Sequence, residues 1–364
     1  MPNCGSQLIL CDLPIRFDTY RGCTHGCDYC FANRKRVGED REIVIPYETA
    51  LDLRNFVEGK RSQTTNWCDW KIPLHWGGMS DPFQPCELEH RRSWECLQIF
   101  AESQYPCVFS TKGALAGTDE YLEMFAKCNF VGQVSLLASS YDVRERGAPT
   151  CAQRIEIVGK LVKVCKRVLA RMQPLMLSAV DEICRETIPA LAAVNCFGVT
   201  VEGYKAMNRD MAEPGMEKLG ADLVYPDNEM KDGLLTIRAA ARAAGLAFYA
   251  AENRYRPLGD DLNCCGTSGV PGFVHNRCNL NHLYYGGYAT TEAQESPNTG
   301  TAIASLFQSG AGNTMCGPLP MHRLVEGLAK ARPLRIALGV ETESQMGLFG
   351  GEEQPPPADP AEPE

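Results

Sequence analysis

Compact apolar runs alternate with amphipathic stretches along most of the chain. The runs at 15–20, 71–76, 106–113, 130–140, 168–177, 196–202 and 246–252 predict seven strands. Stretches with apolar positions three and four apart predict helices over 47–61, 89–103, 119–127, 151–166, 181–194 and 234–245. Gly245 suits the C-terminal end of the last helix. Strands and helices alternating in this way give a parallel α/β barrel or part-barrel, with chemistry at the carboxyl ends of the strands. Two strands carry polar residues at alternate positions, Arg171 with Gln173 and Thr200 with Glu202. Alternate positions share a face, so both pairs are expected to look into the barrel interior. An arginine there needs a partner, and a bound carboxylate would serve.

Composition narrows the class. The chain has 364 residues with 44% hydrophobic content, enough for a large core, and a barrel of about 250 residues would absorb most of it. No apolar run approaches the ~20 residues of a membrane span, and the N-terminus lacks the pattern of a signal peptide. The 18 cysteines are scattered through hydrophobic segments, which argues against a secreted disulfide scaffold. Cys107, Cys165 and Cys196 read as buried thiols, and a reducing cytoplasm is the expected location. The net charge is -9, and the last fourteen residues hold five acids and no base. An acidic body argues against gripping nucleic acid by bulk electrostatics.

The candidate chemistry lies in Tyr20-Arg21-Gly22-Cys23-Thr24-His25-Gly26-Cys27-Asp28-Tyr29-Cys30. Three cysteines at C-x3-C-x2-C offer soft thiolate ligands for an iron–sulfur cluster, zinc or Cu(I). A [4Fe–4S] cluster takes four thiolates, so three leave one iron open for chemistry. Gly22 and Gly26 give the loop the backbone freedom to wrap a cluster. Tyr29 is placed to stack on a ligand of the open iron. The alternative is a zinc site of the three cysteines with His25, although zinc sites more often use paired C-x2-C or C-x4-C units.

The cysteine spacing, with an aromatic residue before the third cysteine, resembles the radical S-adenosylmethionine (SAM) superfamily. Its flanks resemble the spore photoproduct lyase-like branch. The resemblance implies a [4Fe–4S] cluster on Cys23, Cys27 and Cys30, with SAM chelating the open iron. It implies reductive cleavage of SAM to a 5′-deoxyadenosyl radical that abstracts hydrogen from a substrate. A flavodoxin- or ferredoxin-type donor would supply the electron.

Gly77-Gly78-Met79-Ser80-Asp81-Pro82-Phe83-Gln84-Pro85-Cys86-Glu87 follows the second strand. It is similar to the superfamily stretch that contacts the SAM amino group. Met79 stands where Glu is common, so backbone carbonyls, Ser80 or Asp81 would take that contact. Thr111-Lys112 resembles a SAM-contacting pair of the same branch. Ser135 and Ser139 are expected on one face of the fourth strand, within reach of the ribose or carboxylate. Tyr29, Gly77, Gly78, Ser80, Lys112, Ser139 and Arg171 make up the SAM-binding set expected from the resemblance.

Composition shifts after residue 252. Cys264, Cys265 and Cys278, with His282, form a candidate second metal or thiol site, and a lid over the barrel mouth is the favoured reading of the segment. Short helices are expected at 301–307 and 321–338, and the Pro-rich acidic tail is expected to be disordered. The expectation is therefore an α/β radical-SAM-type partial (β/α)6 TIM barrel over 1–252, an extension over 253–345 and a tail over 346–364. The expected function is a radical SAM enzyme of lyase or transferase type acting on a small molecule or peptide. The alternatives are repair of a nucleic-acid lesion and a non-enzymatic zinc-binding scaffold. No catalytic side chain is assigned.

Overall fold

The computed structural model describes residues 2–4, 11–34, 44–60, 62, 65, 71–206, 209–219 and 222–274. Cys278, His282, the helices expected at 301–307 and 321–338, and the tail at 346–364 lie outside the described residues. One eight-stranded sheet runs in chain order. Its strands are β1 (Asn3–Cys4), β2 (Ile15–Phe17), β3 (Leu74–Trp76), β4 (Cys107–Thr111), β5 (Phe130–Ser135), β6 (Arg167–Leu175), β7 (Gly198–Gly203) and β8 (Ala247–Ala250). β1 pairs antiparallel with β2. From β2 to β8 every pairing is parallel.

Helices fill the crossovers: Ala50–Val57, Arg92–Ser103, Asp119–Phe125, Cys151–Leu161, a run from Val180–Glu182 through the π segment Ile183–Thr187 to Ile188–Ala193, and Asp227–Ala243. This is the expected partial (β/α)6 barrel, carried to a seventh parallel strand. Parallel strands need such covered crossovers, and burial on both faces makes their sequences read as continuous apolar runs.

The outer face packs against the helices around an aromatic nest. Trp76, Phe83, Phe100, Phe109, Phe125 and Phe130 are all fully buried. Phe83 meets Phe109, Tyr121 and Phe125 edge-on at 5.2–5.6 Å between ring centres. Each such side chain stabilises the fold by about 2–3 kcal/mol through burial alone.

Three local expectations are corrected. The predicted helix at 89–103 is broken, because Arg91 adopts φ 53° between Glu87–His90 and Arg92–Ser103. The last crossover helix starts earlier, at Asp227, because the polar Asp227–Asp232 stretch hides its first turns. The fourth strand stops at Ser135, and Ser139 opens the 3-10 turn Ser139–Arg144. Ser135 is therefore buried and Ser139 exposed, so the two do not share a strand face.

The inner face is layered. Val108, Val131, Leu169 and Tyr249 gather with Cys11, Cys265 and Val270 into a separate apolar cluster. The chain after β8 makes this floor. Arg167, at the amino end of β6, donates to the carbonyls of Gly266 and Ser268 at 2.6 and 2.9 Å. Gly266 has φ +66°, and a Cβ there would lie 2.7 Å from the Leu169 side chain. The described part of the extension thus closes the amino-terminal end of the barrel, opposite the mouth that a lid was expected to cover.

Candidate functional site

The cysteine loop sits at the carboxyl ends of the strands. The residues before it, Tyr20–Arg21, pair antiparallel with Ile45–Pro46. Gly22 and Gly26 have φ 93° and 62°, the left-handed conformations for which glycine is the cheap choice. Cys23, Cys27 and Cys30 are free thiols, each partly exposed. Burial raises the Cys23 thiol pKa, with Asp81 adding to it. Burial also raises that of Cys27, while Lys112 opposes the rise.

Side chains from distant segments fix the loop. His25 is 3% exposed, its Nε2 lies 3.0 Å from Asp81 Oδ2, and its Nδ1 lies 3.0 Å from the Gly147 carbonyl. Asp81 also accepts from the Lys112 backbone N–H at 2.6 Å, from Thr111 Oγ1 at 2.7 Å and from the Phe83 N–H at 2.8 Å. Burial pushes the Asp81 pKa up, but His25 and these donors outweigh it and leave it lowered. Gln84, fully buried, donates to the Gly22 carbonyl at 3.1 Å and accepts from the Thr24 N–H at 3.0 Å. Glu87, also fully buried, accepts from the Tyr20 and Tyr121 hydroxyls and from the Ser93 and Trp94 N–H groups. The Asp-Pro-Phe-Gln-Pro-Cys-Glu stretch therefore anchors the cysteine loop and the helix beside it.

A second cradle comes from the turn after β5. Tyr29 donates to Glu145, and Glu145 pairs with Arg154 and, at 3.6 Å, with Lys112 Nζ. Lys112 Nζ lies 5.6 Å from the centre of the Tyr29 ring. Burial disfavours the Lys112 cation, but Tyr29, Cys27 and Glu145 more than offset that and hold its pKa well above the usual lysine range. Burial would raise Glu145, yet Lys112 and Arg154 bring it below the usual carboxylate range. Arg144 clasps Asp28 at 3.0 Å and Glu213 at 2.8 Å.

The residues expected to seat SAM lie in four places. Tyr29 and Lys112 stand together beside Cys27. Gly77 (φ +86°) lies at the mouth, but its missing Cβ is required by the protein itself, since a Cβ would meet the Ser110 carbonyl at 2.4 Å. The Met79 and Ser80 N–H groups both donate to Asp18 Oδ1 at 3.0 Å, and the Ser80 hydroxyl donates to the Tyr20 carbonyl at 2.6 Å. Ser80 and Asp81 are thus engaged within the protein. Ser139 lies apart on its turn, and Arg171 lies deeper in the lumen. Sequence reasoning missed Asp18, His25 as a clamp, Gln84, Glu145 and Arg154. Only the Asp-Pro-Phe-Gln-Pro-Cys-Glu stretch offered a signal for any of them.

Among the described residues no three His, Cys, Asp or Glu side chains are gathered closely enough for a single metal ion. His25 faces Asp81 and Gly147, so it does not complete a zinc tetrahedron with the three cysteines. A [4Fe–4S] cluster gives each thiolate its own iron, and three unpaired, partly exposed thiols on one loop fit that donor set. Cys264 and Cys265 lie at the floor with their sulfurs 3.8 Å apart, at the other end of the barrel from the cysteine loop. No described helix is long and apolar enough to cross a membrane.

The fold is a parallel α/β part-barrel that carries a three-thiol loop at the carboxyl ends of its strands. Among solved structures the chain has the fold of spore photoproduct lyase. It is similar to a variant of that enzyme with bound AdoMet and dinucleoside spore photoproduct, with a TM-score of 0.52 and 14% identity over 65% of this chain and 76% of that one. Another complex with dinucleoside spore photoproduct gives 0.52, with 15% identity over the same shares. Among curated proteins, uncharacterized proteins of Mycobacterium tuberculosis and Mycobacterium bovis are 27% identical over 212 residues. That match covers 52% of this chain and 59% of those proteins, so the chain spans less than two thirds of their length. No protein-family profile matches the chain.

Proposed function

We propose that the chain is a radical SAM enzyme. The observation that carries this reading is the thiol loop, clamped by His25–Asp81 and Gln84 at the carboxyl ends of a parallel part-barrel with the lyase fold. Cys23, Cys27 and Cys30 would hold a [4Fe–4S] cluster, and Tyr29, Gly77, Gly78 and Lys112 would seat SAM around it. When bound and reduced, the cluster supplies the electron that cleaves SAM. The residues of the chain orient and stabilise. Lys112, kept cationic beside Glu145 and Tyr29, would offer positive charge to the cofactor's carboxylate. Backbone carbonyls at Gly77 and Gly78 offer acceptors to its amino group. Arg171 stands one inward position below the mouth, so the carboxylate role expected of it passes to Lys112.

The reading implies a cytoplasmic protein served by a flavodoxin- or ferredoxin-type donor, with a small molecule or peptide as substrate. The lyase fold favours a second substrate reading, a nucleic-acid lesion. The acidic composition weighs against it, with a formal net charge of -9. The test is anaerobic reconstitution followed by iron and sulfide analysis and reduction with dithionite in the presence of SAM. About four irons per chain and release of 5′-deoxyadenosine are expected, with both lost in Cys27→Ala. A colourless protein that binds zinc without sulfide would overturn the reading.

A further inference from the structure

The barrel lumen carries a belt of polar side chains one layer below the mouth. Arg16, His75, Ser110, Gln133, Arg171 and Thr200 come one from each of β2 to β7. Each of Ser110, Gln133 and Arg171 lies two positions after a floor residue, Val108, Val131 and Leu169, so all point into the lumen. His75 Nε2 lies 3.0 Å from Ser110 Oγ, Ser110 Oγ donates to Gln133 Oε1 at 3.1 Å, and Arg171 Nη1 donates to the same oxygen at 2.6 Å. Arg16 aligns with His75 across β2 and β3, and Thr200 with Arg171 across β6 and β7.

This belt is rich in donors and poor in acceptors. Arginine only donates, so Gln133 must turn its oxygen toward Arg171, and its amide nitrogen is then left without a partner although the residue is fully buried. Thr200 Oγ1, on a residue 2% exposed, and Arg16 Nε are likewise unpartnered. Among the described residues neither Arg16 nor Arg171 has a carboxylate within ion-pair distance. Glu202, one layer above, is engaged by Lys205 at 2.9 Å and by Gln173. Asp18 is held by the Met79 and Ser80 N–H groups. Burial lowers the His75 pKa, and Arg16 and Arg171 lower it further, so the ring stays neutral beside the two guanidiniums. Buried donors without acceptors are uncommon in folded proteins, and two guanidiniums facing one lumen ask for an anion.

We propose that this belt recognises an anionic group of the substrate, a carboxylate or a phosphate. Arg16 and Arg171 flank that group, and the Gln133 amide and the Thr200 hydroxyl donate to it. The proposal deepens the radical SAM reading. It places the charged end of a small substrate on the polar belt above the apolar floor, with the remainder of the molecule rising toward the cysteine loop.

The test is equilibrium dialysis of the reconstituted full-length protein, under anaerobic conditions and constant ionic strength. The probes are radiolabelled inorganic phosphate, acetate and, as a neutral shape control, acetamide. Saturable binding of one anion per chain is expected, by phosphate or acetate according to which group the substrate carries, and none of acetamide. Arg171→Met and Arg16→Met are expected to weaken it at least about tenfold, and Arg171→Lys and Thr200→Val about threefold. The exposed Arg185→Met is expected to bind as the parent does. The anion is also expected to stay bound when SAM is saturating. Absence of saturable binding, unchanged binding in folded Arg16→Met and Arg171→Met, or displacement by SAM would each overturn the proposal. Iron content and SAM cleavage on the same preparation separate the two readings. Protein that cleaves SAM but binds no anion defeats this inference alone, whereas protein that binds the anion but holds no iron defeats the radical SAM reading alone.

Discussion

The two ends of the barrel hold cysteines in opposite settings. At the mouth, Cys23, Cys27 and Cys30 are spread over a polar loop and tied down through their neighbours, His25, Thr24 and Tyr29. At the floor, Cys264 and Cys265 are adjacent in sequence and packed near Cys11 beneath the lumen. Burial raises the mouth thiols Cys23 and Cys27. At the floor the Cys265 hydrogen bond outweighs burial and lowers Cys264 to about 6, with Arg256 helping, while Cys265 itself is raised. The contrast separates two uses of one residue type. Burial keeps Cys23 and Cys27 as thiols in the absence of a ligand that would stabilise their thiolates. The floor pair makes a thiolate from its own neighbours and, among the described residues, has no third ligand gathered for a metal.

The mouth depends on buried carboxylates, so the largest expected effect comes from removing one. Glu87→Ala strips the acceptor from two tyrosine hydroxyls and from two N–H groups near the start of Arg92–Ser103. Leaving such donors unsatisfied is expected to cost at least about 3 kcal/mol. Urea denaturation checks this, and Glu87→Gln should recover part of the loss. If Glu87→Ala unfolds like the parent, the mouth is not held from this side.

A smaller effect is expected at the Asp81 clamp, and it carries a pH signature. The folded pKa of Asp81 is lowered, so the clamp is fully stabilising above the ordinary carboxylate value of ~3.9. Its contribution fades only as pH falls through the lower, folded value. Asp81→Asn is expected to lose about 2 kcal/mol at neutral pH. The gap between parent and variant should narrow on acidification, as read by denaturation at a series of pH values. A gap that stays constant down to acid pH would mean that the contact is steric and carries no charge.

These carboxylates also show where sequence reading reached its limit. The strands were legible because burial on both faces leaves short continuous apolar runs. The thiol loop was legible because its three cysteines lie within eight residues. His25 and Asp81 are 56 positions apart and meet only through the parallel pairing of β2 with β3, which no local pattern encodes. Ser139 looked like strand because a mainly apolar run continues past Ser135, yet that run turns away into a 3-10 segment. The lumen was half legible. Arg171 and Gln173 announced an inward face, but Gln133, which accepts from both Arg171 and Ser110, comes from another strand. The extension after β8 reads as a lid from composition alone, and only its contacts with Arg167 and Leu169 assign the described part to the floor.

The smallest effect sharpens the contrast at its other end. The leading cause of the low Cys264 pKa is the hydrogen bond from Cys265, so Cys265→Ala should raise it. The measurement is the pH profile of iodoacetamide labelling at Cys264, read by peptide mass spectrometry on the metal-free full chain. The parent is expected to label with a midpoint of about 6, and the variant at higher pH. Arg256 still lowers the Cys264 pKa after that change, so the shift should be partial. An unmoved midpoint in Cys265→Ala would transfer control of the floor thiolate from its neighbour to Arg256. The floor pair would then resemble the mouth thiols in owing its charge to a nearby cation.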